Sequence, residues 1–374
     1  MGQSPFLVPQ LRFICAHPPP NMSTAITLIS GNTFHRRVKL STAHGSLTIS
    51  FADIGCATGP VILYLPGMFA SRYLSIPMHV VAERAGVRLL VVDRPGMGAS
   101  TDVPLAKRID IWVDIVPRLL TRLGIPFVTL ASHSAGTIYL LNTWARCQGL
   151  VNQHIVLLAP WVDPAHSRVT AMQMAQHLPS KAFTLWHHIP RFFITQVSPV
   201  LASSSAAVRQ ITMISGSGSL NQTKEDRSFL DANWHRFEQD YGVPHGEQAE
   251  LARLAARFMF AENTVGANSE ALQCLRKGAG ADWGACTDYA SFALMISSVE
   301  RNAGRRVSLQ AYFAAKDAMV GSQGQKYLEE CWRAPGVEEG VDFVSTTVDG
   351  TDHDTVSQSV DVWEAIFTLV KQGN

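Results

Sequence analysis

The chain has 374 residues, of which 47% are hydrophobic and 16% charged, and its formal net charge at pH 7 is +1. This near-neutral balance disfavours nucleic acid or an anionic membrane as a partner, so a small molecule is the expected ligand. No run of about 18 apolar residues occurs in the sequence, and we therefore expect no integral membrane association. The six cysteines form no C-x-x-C pair, so they are interpreted as free thiols.

The N-terminal residues 1–35 are expected to form a disordered tail. The first acidic residue of the chain is Asp53, and the preceding stretch contains basic residues and several Ser and Thr, as in mitochondrial transit peptides. A cytoplasmic location is the main expectation, with mitochondrial import as the alternative. Met22 offers an alternative start, so residues 1–21 are expected to be dispensable.

Short apolar runs separated by turns begin near residue 36. The first two runs alternate and predict half-exposed strands, and the next four are continuously apolar, as in parallel strands buried on both faces. The predicted strands cover residues 36–42, 46–54, 61–65, 87–92, 127–131 and 155–158. An amphipathic pattern predicts a helix over 109–123, which Pro117 is expected to kink or shorten. Alternating strands and helices between residues 60 and 160 predict a doubly wound, mostly parallel sheet.

This alternation stops after Pro160. Residues 161–290 are predicted to form a helical cap inserted after the sixth core strand, with a helix over 248–260 and a flexible Gly-Ser loop at 215–219. The alternation of strand and helix then resumes, with a strand at 307–314, a helix at 323–332, a strand at 343–348 and a final helix over 356–370. The sequence thus predicts one α/β core, formed by residues 36–160 and 291–374, that carries an inserted cap.

A serine lies at the junction of the fifth predicted strand and a following helix, in the segment Phe127-Val-Thr-Leu-Ala-Ser-His-Ser-Ala-Gly136. Small residues flank Ser134 two positions away on each side, which a sharp strand-to-helix turn requires. The segment resembles the G-x-S-x-G nucleophile elbow of the α/β-hydrolase family, with Ser132 in place of the first glycine. Ser132 is a rival by residue type, but the resemblance implies that Ser134, at the turn itself, is the nucleophile.

Two further segments resemble motifs of the same family. Leu65-Pro-Gly-Met-Phe69 follows a buried strand and is similar to the oxyanion loop, with Pro66 where the family usually has histidine. This resemblance implies that the backbone N–H groups of Met68 and Ala135 form the oxyanion hole. The segment Val92-Asp-Arg-Pro-Gly-Met-Gly-Ala-Ser100 resembles the family's structural D-x-x-G-x-G-x-S turn.

The acid and the base follow in the chain order that the family uses. Asp317 ends the seventh predicted strand and His353 follows the eighth. The resemblance implies that His353 is the general base and that Asp317 orients it. Asp163, after the sixth strand, is the alternative position for the acid, whereas Asp352 and Asp354 are interpreted as solvated loop charges.

The resemblance implies a serine hydrolase that cleaves a carboxylic ester or lactone through an acyl-enzyme. Apolar and aromatic residues of the cap indicate a hydrophobic substrate: Trp161, Met172, Phe183, Trp186, Phe192, Phe193, Phe258 and Trp283. The alternative is that these residues pack the cap onto the sheet as core, so none is assigned as a binding residue. The alternatives are an acyltransferase, a lyase or a C–C bond hydrolase with the same triad, or a non-catalytic ligand-binding member of the fold. No cofactor is expected. No metal is expected either, because the adjacent His187 and His188 would point in different directions on a helix.

Overall fold

The computed structural model of the protein describes residues 24–185 and 224–373. Its eight described strands form one sheet in the order β1-β2-β4-β3-β5-β6-β7-β8. The strands are β1 (Arg36–Thr42), β2 (Gly45–Gly55), β3 (Val61–Leu65), β4 (Arg88–Val92), β5 (Val128–His133), β6 (Val151–Leu158), β7 (Val307–Lys316) and β8 (Val341–Asp352). Each lies where an apolar run predicts a strand, so the predicted α/β sheet is confirmed.

The direction of the strands determines where functional side chains can meet. β1 and β2 are antiparallel to their neighbours, whereas β3 pairs in parallel with β4 and β5, and the parallel pairing continues through β8. The carboxyl ends of these six strands therefore lie at one edge of the sheet. Open parallel sheets usually bind ligands at this edge, because the loops that follow the strands converge there.

Helices cover both faces of the sheet. In chain order they are α1 (Thr24–Ile29), α2 (Met78–Ala85), α3 (Arg108–Leu123), α4 (Gly136–Arg146), α5 (Pro164–Ser167), α6 (Thr170–His177), α7 (Lys224–Tyr241), α8 (His245–Ala261), α9 (Gly266–Cys274), α10 (Tyr289–Asn302), α11 (Gly321–Trp332) and α12 (Val360–Gln372). Side chains on the sheet alternate between two cores: Leu63 packs with α3, α4 and α10, whereas Ile62 packs with α2 and α12. In the described parts of the chain, no helix is long and apolar enough to cross a membrane.

Helices α5 to α10 lie between β6 and β7, and α5 to α9 fall within residues 161–290, the stretch that the sequence predicts to form an inserted cap. Helix α7 is attached to the start of α12, because the Asn233 side chain donates to the Gln358 carbonyl at 3.1 Å and accepts from the Val360 N–H at 2.9 Å. Several sequence predictions lie outside the described residues: the loop at 215–219, the dispensable segment 1–21 with the start at Met22, His187, His188, Trp186, Phe192 and Phe193.

The predicted N-terminal tail is wrong for its last residues. Residues 24–34, expected within a disordered tail, form α1 and a 3₁₀ helix, and Ala25, Ile29 and Phe34 are fully buried. Helix α1 has only six residues, too few to show a periodic apolar pattern in the sequence. Its buried side chains pack against elements that are distant in the chain, and a local pattern cannot predict such contacts. Of the two effects expected of Pro117, a kink or a shorter helix, the second does not occur, because α3 continues to Leu123.

Candidate active site

Ser134 occupies the turn between β5 and α4. Its φ of 49° lies in the left-handed region, which costs a residue with a side chain about 1–3 kcal/mol. Backbone hydrogen bonds hold this conformation, because the Ser134 N–H donates to the Leu158 carbonyl at 3.0 Å and the Ser134 carbonyl accepts from Thr137 N–H at 2.9 Å. The rival Ser132 is fully buried within β5, and its Oγ has no hydrogen-bond partner among the described residues.

The turn is close to the neighbouring strand. A Cβ on Gly136 would lie 2.1 Å from the Leu65 carbonyl oxygen at the end of β3, so only glycine fits there. A Cβ on Gly67 would lie 3.3 Å from Ser134 Cβ. The loop after β3 therefore passes directly beside the serine, as the sequence resemblance implies.

Ser134, His353 and Asp317 form a hydrogen-bonded chain. Ser134 Oγ lies 2.7 Å from His353 Nε2, and His353 Nδ1 lies 2.7 Å from Asp317 Oδ2. The other Asp317 oxygen accepts the backbone N–H groups of Met319 and Val320, each at 2.8 Å. Three loops, which follow β5, β7 and β8, thus bring the three predicted residues together.

The rival acid and the flanking carboxylate have other partners. Asp163 accepts the Ala165 N–H at the start of α5 and pairs with Arg276 at 2.5 Å. Asp352 accepts the backbone N–H and the hydroxyl of Thr355 at 2.9 and 2.8 Å. Among these three aspartates, the carboxylate that contacts the His353 ring is that of Asp317.

Electrostatics favour a charged acid beside a basic imidazole. Burial lowers the pKa of His353, but the charge and hydrogen bond of Asp317 outweigh it and leave the pKa above its ordinary value. Burial raises the pKa of Asp317, but His353 and the two backbone N–H donors leave it below its ordinary value. Asp317 is therefore ionised at neutral pH, and His353 is a stronger base than an isolated buried histidine.

His133 is a member of the site that the sequence analysis missed. Its Nε2 donates to the backbone carbonyl of His353 at 2.7 Å and so joins the serine turn to the histidine loop. Burial, together with the nearby His353, lowers the pKa of His133 to about 3. His133 is thus neutral and adds no repulsive charge beside His353. The signal available in the sequence was its position next to Ser134.

Peptide geometry orients the two predicted oxyanion donors. The N–H and C=O of one trans peptide unit point in opposite directions. The Ala135 N–H shares its unit with the Ser134 carbonyl, which points into the start of α4. The Met68 N–H shares its unit with the Gly67 carbonyl, which accepts from Ala70 N–H at 3.1 Å and from Arg94. Within the described residues, neither the Met68 nor the Ala135 N–H has a protein acceptor, so both can donate to a ligand oxygen.

A cavity of about 420 Å³ opens at Ser134 and His353. Beside Ser134, His353 and the loop that contains Met68, its walls include residues of four helices: Leu28 of α1, Met78 of α2, Phe237 of α7, and Leu251 and Ala255 of α8. The cap residues whose apolar character indicates a hydrophobic substrate are assigned by the sequence neither to the pocket nor to the core, and the described ones are not in this lining: Trp161, Met172, Phe183, Phe258 and Trp283. Trp161 and Trp283 pack in the core instead.

Comparison with known proteins identifies the family of the chain. A profile described as the alpha/beta hydrolase family matches residues 62–365, a range that includes the triad and both predicted oxyanion donors. The chain therefore belongs to the alpha/beta hydrolase family. No curated protein sequence matches the chain.

Solved structures of similar fold are known from several organisms. An alpha/beta hydrolase fold protein from Nakamurella multipartita is 16% identical, with a TM-score of 0.54 over 91% of this chain and 100% of its own. A carboxylesterase structure from Nitrososphaera gargenis is 14% identical, with a TM-score of 0.52 over 90% of this chain and 99% of its own. An esterase from Rhodococcus sp. ECU1013 is 16% identical, with a TM-score of 0.50 over 90% of this chain and 99% of its own. At these identities the likeness concerns the fold.

Proposed function

We propose that the protein is a serine hydrolase that cleaves a carboxylic ester or lactone of a hydrophobic small molecule through an acyl-enzyme. The observation that carries this proposal is the chain of two 2.7 Å hydrogen bonds from Ser134 through His353 to Asp317. It starts from a serine held at a φ of 49° in a strand-to-helix turn. This is the arrangement in which a base activates a nucleophile and an acid orients the base.

The proposed reaction uses these atoms in two steps, acylation and deacylation. His353 Nε2 takes the hydroxyl proton as Ser134 Oγ attacks the substrate carbonyl carbon. The resulting oxyanion accepts hydrogen bonds from the Met68 and Ala135 N–H groups. The tetrahedral intermediate then releases the alcohol, which takes the proton from His353 Nε2. Water, deprotonated by His353, attacks the acyl-enzyme, and Ser134 recovers its proton as the acid leaves.

The cavity supports a hydrophobic substrate. Aliphatic and aromatic side chains from four helices form much of its wall, including Met78, Phe237 and Leu251. Apolar walls favour apolar ligands because they remove apolar surface from water. The carboxylesterase and the esterase that share the fold are consistent with ester cleavage.

Rapid-mixing hydrolysis of p-nitrophenyl butyrate tests the proposal. We expect a burst of one p-nitrophenol per wild-type molecule, followed by slower steady turnover, because acylation releases the phenol before water releases the acid. The Ser134→Ala variant should show neither phase. A folded wild type without a burst or turnover on a series of p-nitrophenyl esters would contradict the proposal and favour a ligand-binding protein. Transfer of the acyl group to an added alcohol in preference to water would favour an acyltransferase.

A further inference from the structure

A buried arginine lies behind the loop that carries Met68. Arg94 follows β4, and its side chain is 0% exposed. One terminal nitrogen, Nη1, donates to the Pro66 carbonyl, and the other, Nη2, donates to the Gly67 carbonyl at 2.8 Å. The planar guanidinium thus binds two successive carbonyls directly before Met68.

Arg94 can influence the predicted oxyanion hole because one peptide unit contains both a carbonyl that it binds and the Met68 N–H. The Gly67 carbonyl and the Met68 N–H belong to the same unit and point in opposite directions. Holding the carbonyl towards Arg94 directs the Met68 N–H away from the arginine, and Met68 lines the cavity that contains Ser134. Ala70 N–H also reaches the Gly67 carbonyl, but the Pro66 carbonyl is held by Arg94.

The counter-ion of Arg94 comes from the insertion. Glu270 of α9 is 1% exposed and accepts from Arg94 Nε at 2.6 Å and from Nη2 at 2.8 Å. The start of α9 lies against the Arg94 turn, because a Cβ on Gly266 would approach the Pro95 carbonyl oxygen to 2.3 Å. A buried guanidinium needs such a partner, since an unpaired buried charge is strongly unfavourable.

We infer that Arg94, held by Glu270, is a positioning residue of the oxyanion hole that fixes the direction of the Met68 N–H. The inference rests on the proposed function, because it concerns stabilisation of the oxyanion in that reaction. It also connects the insertion to the chemistry, since Glu270 belongs to α9 while Met68 follows β3. Neither Arg94 nor Glu270 needs to contact the substrate.

The chain contains a matched control for this inference. Arg108 is also 0% exposed and also contacts Glu270, at 3.3 Å. Its other hydrogen bonds reach the Pro95 carbonyl at 2.7 Å, the Tyr139 hydroxyl at 3.0 Å and the Asp102 carboxylate at 3.3 Å, and none of these acceptors is the carbonyl of Pro66 or Gly67. A substitution of Arg108 therefore disturbs the same buried ion cluster without releasing the oxyanion loop.

The test compares Arg94→Lys with Arg108→Lys, and Arg94→Met with Arg108→Met, on p-nitrophenyl butyrate. Lysine keeps the charge beside Glu270 but cannot bind two carbonyls with a planar fork, so the lysine pair remains informative if a methionine variant does not fold. Because removal of an oxyanion donor costs about 10²–10³ in kcat, we expect misdirection of one to cost about 10-fold in Arg94→Lys and more in Arg94→Met. KM should change by less than about 3-fold, and both Arg108 variants should keep kcat within about 3-fold.

An alkyl trifluoromethyl ketone provides a second readout. It forms a tetrahedral adduct with an oxyanion, so its affinity should fall in the Arg94 variants by about the same factor as kcat/KM, while binding of the matching methyl ketone stays unchanged. Equal losses of kcat in the Arg94 and Arg108 variants, or equal losses of affinity for both ketones, would overturn the inference. A wild type without Ser134-dependent hydrolysis would overturn the proposed function and the inference with it.

Discussion

The carboxyl edge of the sheet and the inserted helices form two halves of the site, and different forces hold them. At the sheet edge, Ser134, Asp317 and His353 each directly follow a strand, and hydrogen bonds of defined direction fix them. In the insertion, Phe237 and Leu251 are held by apolar packing. The ion pair of Arg236 with Glu364 at the insertion's border is more than one-third exposed and contributes about 0.2–1 kcal/mol.

The two halves should therefore tolerate amino-acid substitutions to different degrees. Directional hydrogen bonds at the sheet edge leave little room for substitution, because small displacements of reacting atoms are costly. Apolar packing around the cavity tolerates exchanges of similar volume. We therefore expect substitutions at the sheet edge to change rates by orders of magnitude and substitutions in the cavity wall to change selectivity.

The largest expected effect is that of Ser134→Ala. Loss of the nucleophile should lower kcat for p-nitrophenyl butyrate by a factor on the order of 10⁴ or more, as in other enzymes with this triad. Ser132→Ala is the matched control, two residues away and buried in β5, and should keep kcat within a few-fold. A large loss in Ser132→Ala with activity retained in Ser134→Ala would contradict the assignment of Ser134 as the nucleophile and favour Ser132.

Asp317→Asn should have the next largest effect. The amide cannot stabilise the imidazolium and can favour the wrong histidine tautomer, so kcat should fall by about 10³–10⁴. Asp163→Asn tests the rival acid and should change kcat by no more than a few-fold, because Asp163 pairs with Arg276 instead of His353. Steady-state kinetics of both variants give the comparison, and a greater loss in Asp163→Asn would contradict it.

The pH dependence of kcat/KM should also differ between the wild type and Asp317→Asn. Activity needs neutral His353, whose pKa lies above its ordinary value because Asp317 outweighs the effect of burial. Activity should therefore fall on the acid side through this raised pKa. In Asp317→Asn the raising charge is removed while burial remains, so the acid limb of kcat/KM should move to lower pH. An acid limb that does not move would show that Asp317 does not control the titration.

The smallest expected effect belongs to the cavity wall. Leu28→Trp places a larger side chain in the lining, so kcat/KM for p-nitrophenyl octanoate should fall several-fold relative to p-nitrophenyl acetate. Ile26→Trp is the control, since Ile26 lies on the same short helix but not in the lining. A uniform loss for both esters, or the same selectivity change in Ile26→Trp, would place Leu28 outside the substrate path.

The sequence predicts the sheet edge better than it predicts the cavity wall. Buried parallel strands such as β3 are continuous apolar runs and can be predicted locally. Ser134, Asp317 and His353 follow strands in the chain order that the family resemblance implies, so that resemblance is needed to select them. Arg94 and Glu270 are 176 residues apart, and His133 and the His353 carbonyl are 220 apart. Such pairs leave no local pattern. The cavity wall combines α1 with α7 and α8, and apolar residues there look the same in sequence as residues of an ordinary core.

Fluorophosphonate labelling followed by peptide mass spectrometry shows whether Ser134 is an activated nucleophile. The reagent reacts rapidly with an activated serine, so we predict one label per wild-type molecule, located on Ser134 of the peptide that also contains Ser132. Labelling should be lost in Ser134→Ala and strongly slowed in Asp317→Asn. A label on Ser132, or a folded wild type that does not react, would contradict the account of Ser134 as a nucleophile activated by His353.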